Sequence, residues 1–108
     1  MTVRKPRQPE TAADLLDAAV AIVGEREGQH GSKSANHAAI AAVWNGILEA
    51  RAINGHGGLA LQGSDVANLM EGLKIARRYS GGFNADDYLD GAGYAACAYE
   101  VRKGEVGG

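Results

Sequence analysis

Five large apolar residues, Ile40, Val43, Trp44, Ile47 and Leu48, recur at spacings of i, i+3, i+4, i+7 and i+8. That period gathers all five on one stripe of an α-helix, whereas a strand would scatter them over both of its faces. No stretch of the chain shows the two-residue alternation of a half-buried strand. Helical spacing recurs in other segments, and glycine-rich breaks separate them. The chain is therefore expected to be all-α, a bundle of about four helices.

Local signals place the boundaries. The first helix is expected to begin over residues 9–11, with Thr11 as its cap and Asp14 at the capping-box position. Leu15, Leu16, Ala19, Ile22 and Val23 form its apolar stripe, and Gly24 and Gly28 loosen its end. The polar run GQHGSKS then leads to a second helix from about Ser34 or Ala35, ending before INGHGG. Residues 59–61 (LAL) are a candidate extended piece with nothing to pair with. Ser64 is expected to cap the third helix, with Asp65 favourable in its first turn. Val66, Leu69, Met70, Leu73 and Ala76 line one side of that helix while Ile75 lies almost opposite. A helix that is apolar on two sides sits centrally in a bundle or is shared with a dimer partner. Gly81-Gly82 stop it. Asn84 caps the fourth helix with Asp87 at its capping-box position, and the VRKGEVGG tail frays. Domain organisation is then a disordered basic arm over residues 1–8, one all-α domain over 9–103 and a flexible tail over 104–108.

Composition narrows the function classes. The chain has 108 residues, 45% hydrophobic but only 6% aromatic, and much of the apolar fraction is alanine. Alanine buries little area, so a lone core would be marginal and a homodimer that completes it is expected. A net charge of −2 gives no general pull toward nucleic acid or an anionic membrane. Basic residues cluster only locally, as Arg4, Lys5 and Arg7 and as Lys74, Arg77 and Arg78. The single cysteine, Cys97, excludes an intrachain disulfide and suits a reducing compartment; among alanines on a helix it is expected to be buried and inert. No apolar run approaches the ~20 residues that span a bilayer. A basic start without an apolar core gives no secretory signal, so the expected location is the cytoplasm.

The densest block runs over residues 64–99. Asp87 and Asp90 are one turn apart and project from one face of the fourth helix. Paired carboxylates at this spacing can hold Mg²⁺, a hard cation that keeps waters and substrate phosphates. They can equally satisfy the free N–H groups and dipole of a first helical turn. Lys74, Arg77 and Arg78 occupy successive turns of the third helix and either grip phosphate oxygens or form a solvated basic face. His30, His37 and His56 share no metal-ligand spacing, which argues against zinc. Tyr88, Tyr94 and Tyr99 are expected to pack with their hydroxyls at an edge.

The order of segments resembles an uncharacterised family of small phage and prophage proteins, itself similar to the MazG-like all-α NTP pyrophosphohydrolases. The matching residues are Glu25-Arg26 and Gly31, then Asn36 and Trp44, then Asp65-Val66-Ala67 and Lys74-Ile75-Ala76-Arg77. They end with Gly82-Phe83-Asn84, Asp87, Tyr88, Asp90 and Gly93-Tyr94-Ala95-Ala96. The likeness implies a helical bundle that pairs into dimers, with Mg²⁺ held by Glu-x-x-Glu on one helix and an acidic pair on a later one. Asp87 and Asp90 match the later pair, but Glu-x-x-Glu occurs nowhere in this chain. Glu25, Glu27, Glu49 and Glu71 are the available substitutes. Two readings follow: a degenerate module that binds a nucleotide or a host protein, and a Mg²⁺-dependent pyrophosphohydrolase. A structural or virion-associated dimer is the third.

Overall fold

The computed structural model describes residues 8–30, 33–58 and 60–107; the expected arm and the Gly31-Ser32 part of the expected connection fall outside them, apart from the exposed Gln8. Four α-helices follow one another: α1 (Ala12–His30), α2 (Lys33–Arg51), α3 (Gly63–Arg77) and α4 (Ala85–Glu105). No strand occurs among the described residues.

The α1 start is as the sequence indicates. Thr11 N–H donates to Asp14 Oδ2 at 3.2 Å, and Asp14 N–H donates to Thr11 Oγ1 at 3.1 Å. The helix does not loosen at Gly24 but continues to His30. Between α2 and α3 the chain makes a wide irregular turn over Ala52–His56, where Gly55 takes a φ of 88° that a side chain would strain.

The sequence assigns the α3 cap to Ser64, and the structure moves it. Gln62 stands at the N-cap and its backbone N–H donates to Asp65 Oδ2 at 2.8 Å. Ser64 is already inside the helix and is buried, because it is engaged by the far end of α4. Its hydroxyl donates to Glu105 Oε1 and its N–H donates to Glu105 Oε2 at 3.0 Å. This anchor is why α4 runs for 21 residues to Glu105 instead of fraying from Val101.

As its two apolar sides suggest, α3 is central. α2 packs antiparallel on one flank and α4 antiparallel on the other. On the α2 side, Trp44 Nε1 donates to the Leu69 carbonyl at 2.6 Å. Gly72 allows the close approach: a methyl there would stand 2.7 Å from Ile47 Cδ1 and 3.0 Å from Val43 Cγ1. Arg51 and Asp65 pair at 3.3 Å where α2 ends and α3 begins. The buried apolar residues Ile40, Leu69, Ala76 and Ala98 trace this three-helix layer. α1 touches α2 only lightly and leaves Leu15, Leu16, Ile22 and Val23 exposed. The four helices therefore do not close into a bundle within one chain.

Two outcomes follow for stability. Gly72→Leu should overpack the α2–α3 seam and cost about 1–3 kcal/mol, more than the ~1 kcal/mol gained in helix propensity; a lower denaturant midpoint at an unchanged slope reads this. The Ser64 hydroxyl, then the Ser64 N–H and Arg102, hold the Glu105 carboxyl below its ordinary value of 4.5. A depressed carboxyl stabilises the fold above its unfolded value and ceases to do so as pH falls through the folded one. Wild type should therefore melt above Glu105→Gln at neutral pH. The two melting curves should converge as pH drops from about 4.5 downward.

Candidate functional site

Most residues singled out in the sequence meet where α3 ends and α4 begins. Lys74 Nζ lies 3.0 Å from Asp90 Oδ2. The Arg78 guanidinium stands 4.5 Å over the Tyr88 ring centre, a cation–π distance. Tyr88 packs tilted against Phe83 with ring centres 5.8 Å apart. Gly91 leaves the space for this cation, since a methyl there would come within 2.5 Å of Arg78 Nη2. Asn84 caps α4 as expected, accepting from Asp86 N–H at 3.0 Å.

Asp87 does not take the capping-box place that its spacing suggests. It is 3% exposed. Arg77 Nε and Arg78 Nε are buried without an acceptor, and Asn36 Oδ1 is buried without a donor. The antiparallel α2–α3 seam carries Asn36, one turn before Ile40, toward this same end of α3. A buried polar group without a partner costs about 1–3 kcal/mol, so such groups are rare unless something else satisfies them. Beside them Tyr79 and Phe83 hold their rings out to solvent, 88% and 85% exposed.

The other sequence candidates lie apart. Glu25 on α1 and Glu49 on α2 are exposed and outside the corner, and the side chain of Glu27 falls outside the described residues. No three His, Cys, Asp or Glu side chains converge among the described residues. Mg²⁺ demands octahedral oxygen coordination. Two carboxylates, one of them already held by an ammonium, do not by themselves fit such a centre. Cys97 is exposed, contrary to expectation, because its neighbour Ala98 takes the face of α4 turned to α3.

A second concavity lies away from the corner. It is an open groove of about 980 Å³ along α3, walled by the C-terminal part of α2 and by α4. Ile47, Leu48, Leu61, Ile75, Ala98 and Tyr99 give it apolar walls, and Asn68, Glu71 and Arg102 its polar groups. The sequence signal for it was Ile75, opposite the main stripe of α3. Asn36 was legible as a lone polar residue in register with the α2 stripe. Tyr79 and Phe83 were marked only by flanking the Gly81-Gly82 break.

Residues 14–102 match the family described as a domain of unknown function, DUF6378. This chain belongs to that family. It is also 35% identical over 94 residues to the gene 55 protein of Mycobacterium phage D29, a match covering 87% of this chain and 56% of the phage protein. The chain thus spans little more than half the length of that relative. No solved structure matches it. No helix among the described residues is long and apolar enough to cross a membrane.

Because its Oδ1 is buried without a donor among the described residues, Asn36 should lower stability in the ligand-free protein. Asn36→Leu is expected to raise it by about 1 kcal/mol, read as a higher urea midpoint. A drop in that midpoint would show that the Asn36 amide hydrogens support the fold.

Proposed function

We propose that this family member is a non-catalytic binding module that holds a nucleotide at the α3–α4 corner and works as a homodimer, in the cytoplasm of an infected host. One observation carries the reading: buried donors and a buried acceptor, all lacking partners, coincide beside exposed aromatic rings. Arg77 Nε and Arg78 Nε need acceptors and Asn36 Oδ1 needs a donor. A nucleotide brings both, as phosphate oxygens for the cations and amine or hydroxyl hydrogens for the amide oxygen. Tyr79 and Phe83 offer ring faces, and a base stacked on one is worth about 1–3 kcal/mol.

The chemistry side is thin, and this supports binding over turnover. Asp90 is paired with Lys74, and no third carboxylate joins the acidic pair among the described residues. The phage relative supports an accessory role during infection. Exposed apolar side chains on α1, together with the absence of any large fully buried side chain among the described residues, support self-association.

Thermal melting of the full chain against nucleoside mono-, di- and triphosphates, with and without Mg²⁺, tests this reading. Ligand at a hundred times its dissociation constant stabilises a native site by about 2.7 kcal/mol, a shift of at least several degrees in a domain of this size. Arg78→Ala should remove the shift and leave the ligand-free melting point nearly unchanged. Inorganic phosphate alone should give a smaller shift than a nucleotide. No shift across the panel would overturn the nucleotide and direct the corner to a protein partner. Mg²⁺-dependent pyrophosphate release would overturn the non-catalytic part.

A further inference from the structure

The single chain exposes far more surface than its mass requires. Its accessible area is 8096 Å², against about 5,700 Å² for a compact 11.2 kDa monomer, an excess on the order of 2,400 Å². Its radius of gyration is 17.5 Å, where a compact chain of this length has about 13 Å. A standard interface hides about 800 Å² per partner, so the excess leaves room for one on each copy.

Two described features carry open apolar surface. The first is α1, whose apolar residues form two adjoining ridges, Leu15–Ala19–Ile22 and Leu16–Val20–Val23. Leu16 and Val20 are 66% and 72% exposed. The second is the apolar groove along α3, between α2 and α4. The helix, 19 residues and about 28 Å long, matches a groove floor of 15 residues and about 22 Å. The chain's own α1 joins α2 at Lys33, the end of α2 farthest from the groove residues Ile47 and Leu48, and it touches α2 only lightly.

We infer that α1 of a second copy of this chain lies in the groove, and that the exchange is reciprocal. Each copy has one apolar helix without a seat and one groove without an occupant, so two copies satisfy both contacts about a twofold axis. The ridge of Leu16, Val20 and Val23 meets Leu48, Ile75 and Tyr99. The polar side of α1, with Asp14 and Asp17, stays outward. This seating rests on the homodimer of the reading above and specifies its interface. The nucleotide melting experiment does not depend on it, so the two can fail separately.

Light scattering and sedimentation of the full chain at tens of micromolar test the seating. Wild type should have twice the monomer mass of 11.2 kDa. Val20→Glu on α1 and Leu48→Glu in the groove wall should each give a monomer of unchanged helical circular dichroism. An equimolar mixture of the two variants should recover a heterodimer, because one of its two α1–groove contacts is intact. That recovery also shows that both variants are folded. A monomeric wild type would overturn the inference, as would a Val20→Glu variant that stays dimeric or a mixture that stays monomeric.

Discussion

Trp44 Nε1 reaches the Leu69 carbonyl at 2.6 Å only because α2 and α3 approach closely at Gly72, where any side chain would collide with Ile47 and Val43. A backbone carbonyl within a helix already accepts from the turn above it, and the indole adds a second, fixed donor. The bond sets the register of α2 on α3, and the Arg51–Asp65 pair repeats that register at the far end. With α3 held, α4 is positioned by two polar contacts at its opposite ends. Glu105 takes the Ser64 hydroxyl and N–H, and Asp90 takes Lys74. The corner that carries Asp87, Arg77 and Arg78 is a consequence of these four fastenings.

That corner is where the fold is least self-sufficient. Elsewhere among the described residues the buried polar groups are answered, as Ser64 is by Glu105. At the end of α3, two guanidinium nitrogens and one amide oxygen are left over. The same groups would be poor choices for a purely structural corner, since apolar residues of similar volume would cost nothing there. Sites that bind are drawn from such positions because a group satisfied within the protein has little left to offer a ligand.

Helix existence was legible in the sequence because it rests on local period and caps: Thr11 with Asp14, Asn84 as the cap of α4, and the stripe from Ile40 to Leu48. The central place of α3 was legible from Ile75 alone, since one apolar residue opposite a full stripe has to face something. What escaped reading were the pairings between distant segments. Ser64 looks like a cap until Glu105, 41 residues away in sequence, is brought to it. Asp87 looks like a capping-box acid, yet Asn84 accepts from the Asp86 N–H and Asp87 is buried. The Lys74, Arg77 and Arg78 cluster and the Asp87–Asp90 pair were both visible. That they share a corner is a property of the α3–α4 crossing, which no local spacing encodes.

The thinness of these helices joins the two halves of the picture. Gly72 and Gly91 let α2 and Arg78 come close to their neighbours, and at Gly63 a methyl would meet Val101 Cγ1 at 3.1 Å. Close approach improves dispersion and fixes geometry, but each glycine or alanine at a contact gives up side-chain area that would otherwise be buried. A three-helix layer built this way is well registered and poorly insulated. Among the described residues, a large apolar face beyond the layer is the groove, and the apolar helix beyond the layer is α1. A sequence that spends its bulky residues, Leu15, Leu16, Ile22 and Val23, on a helix that its own layer does not cover has placed them for contact with another surface.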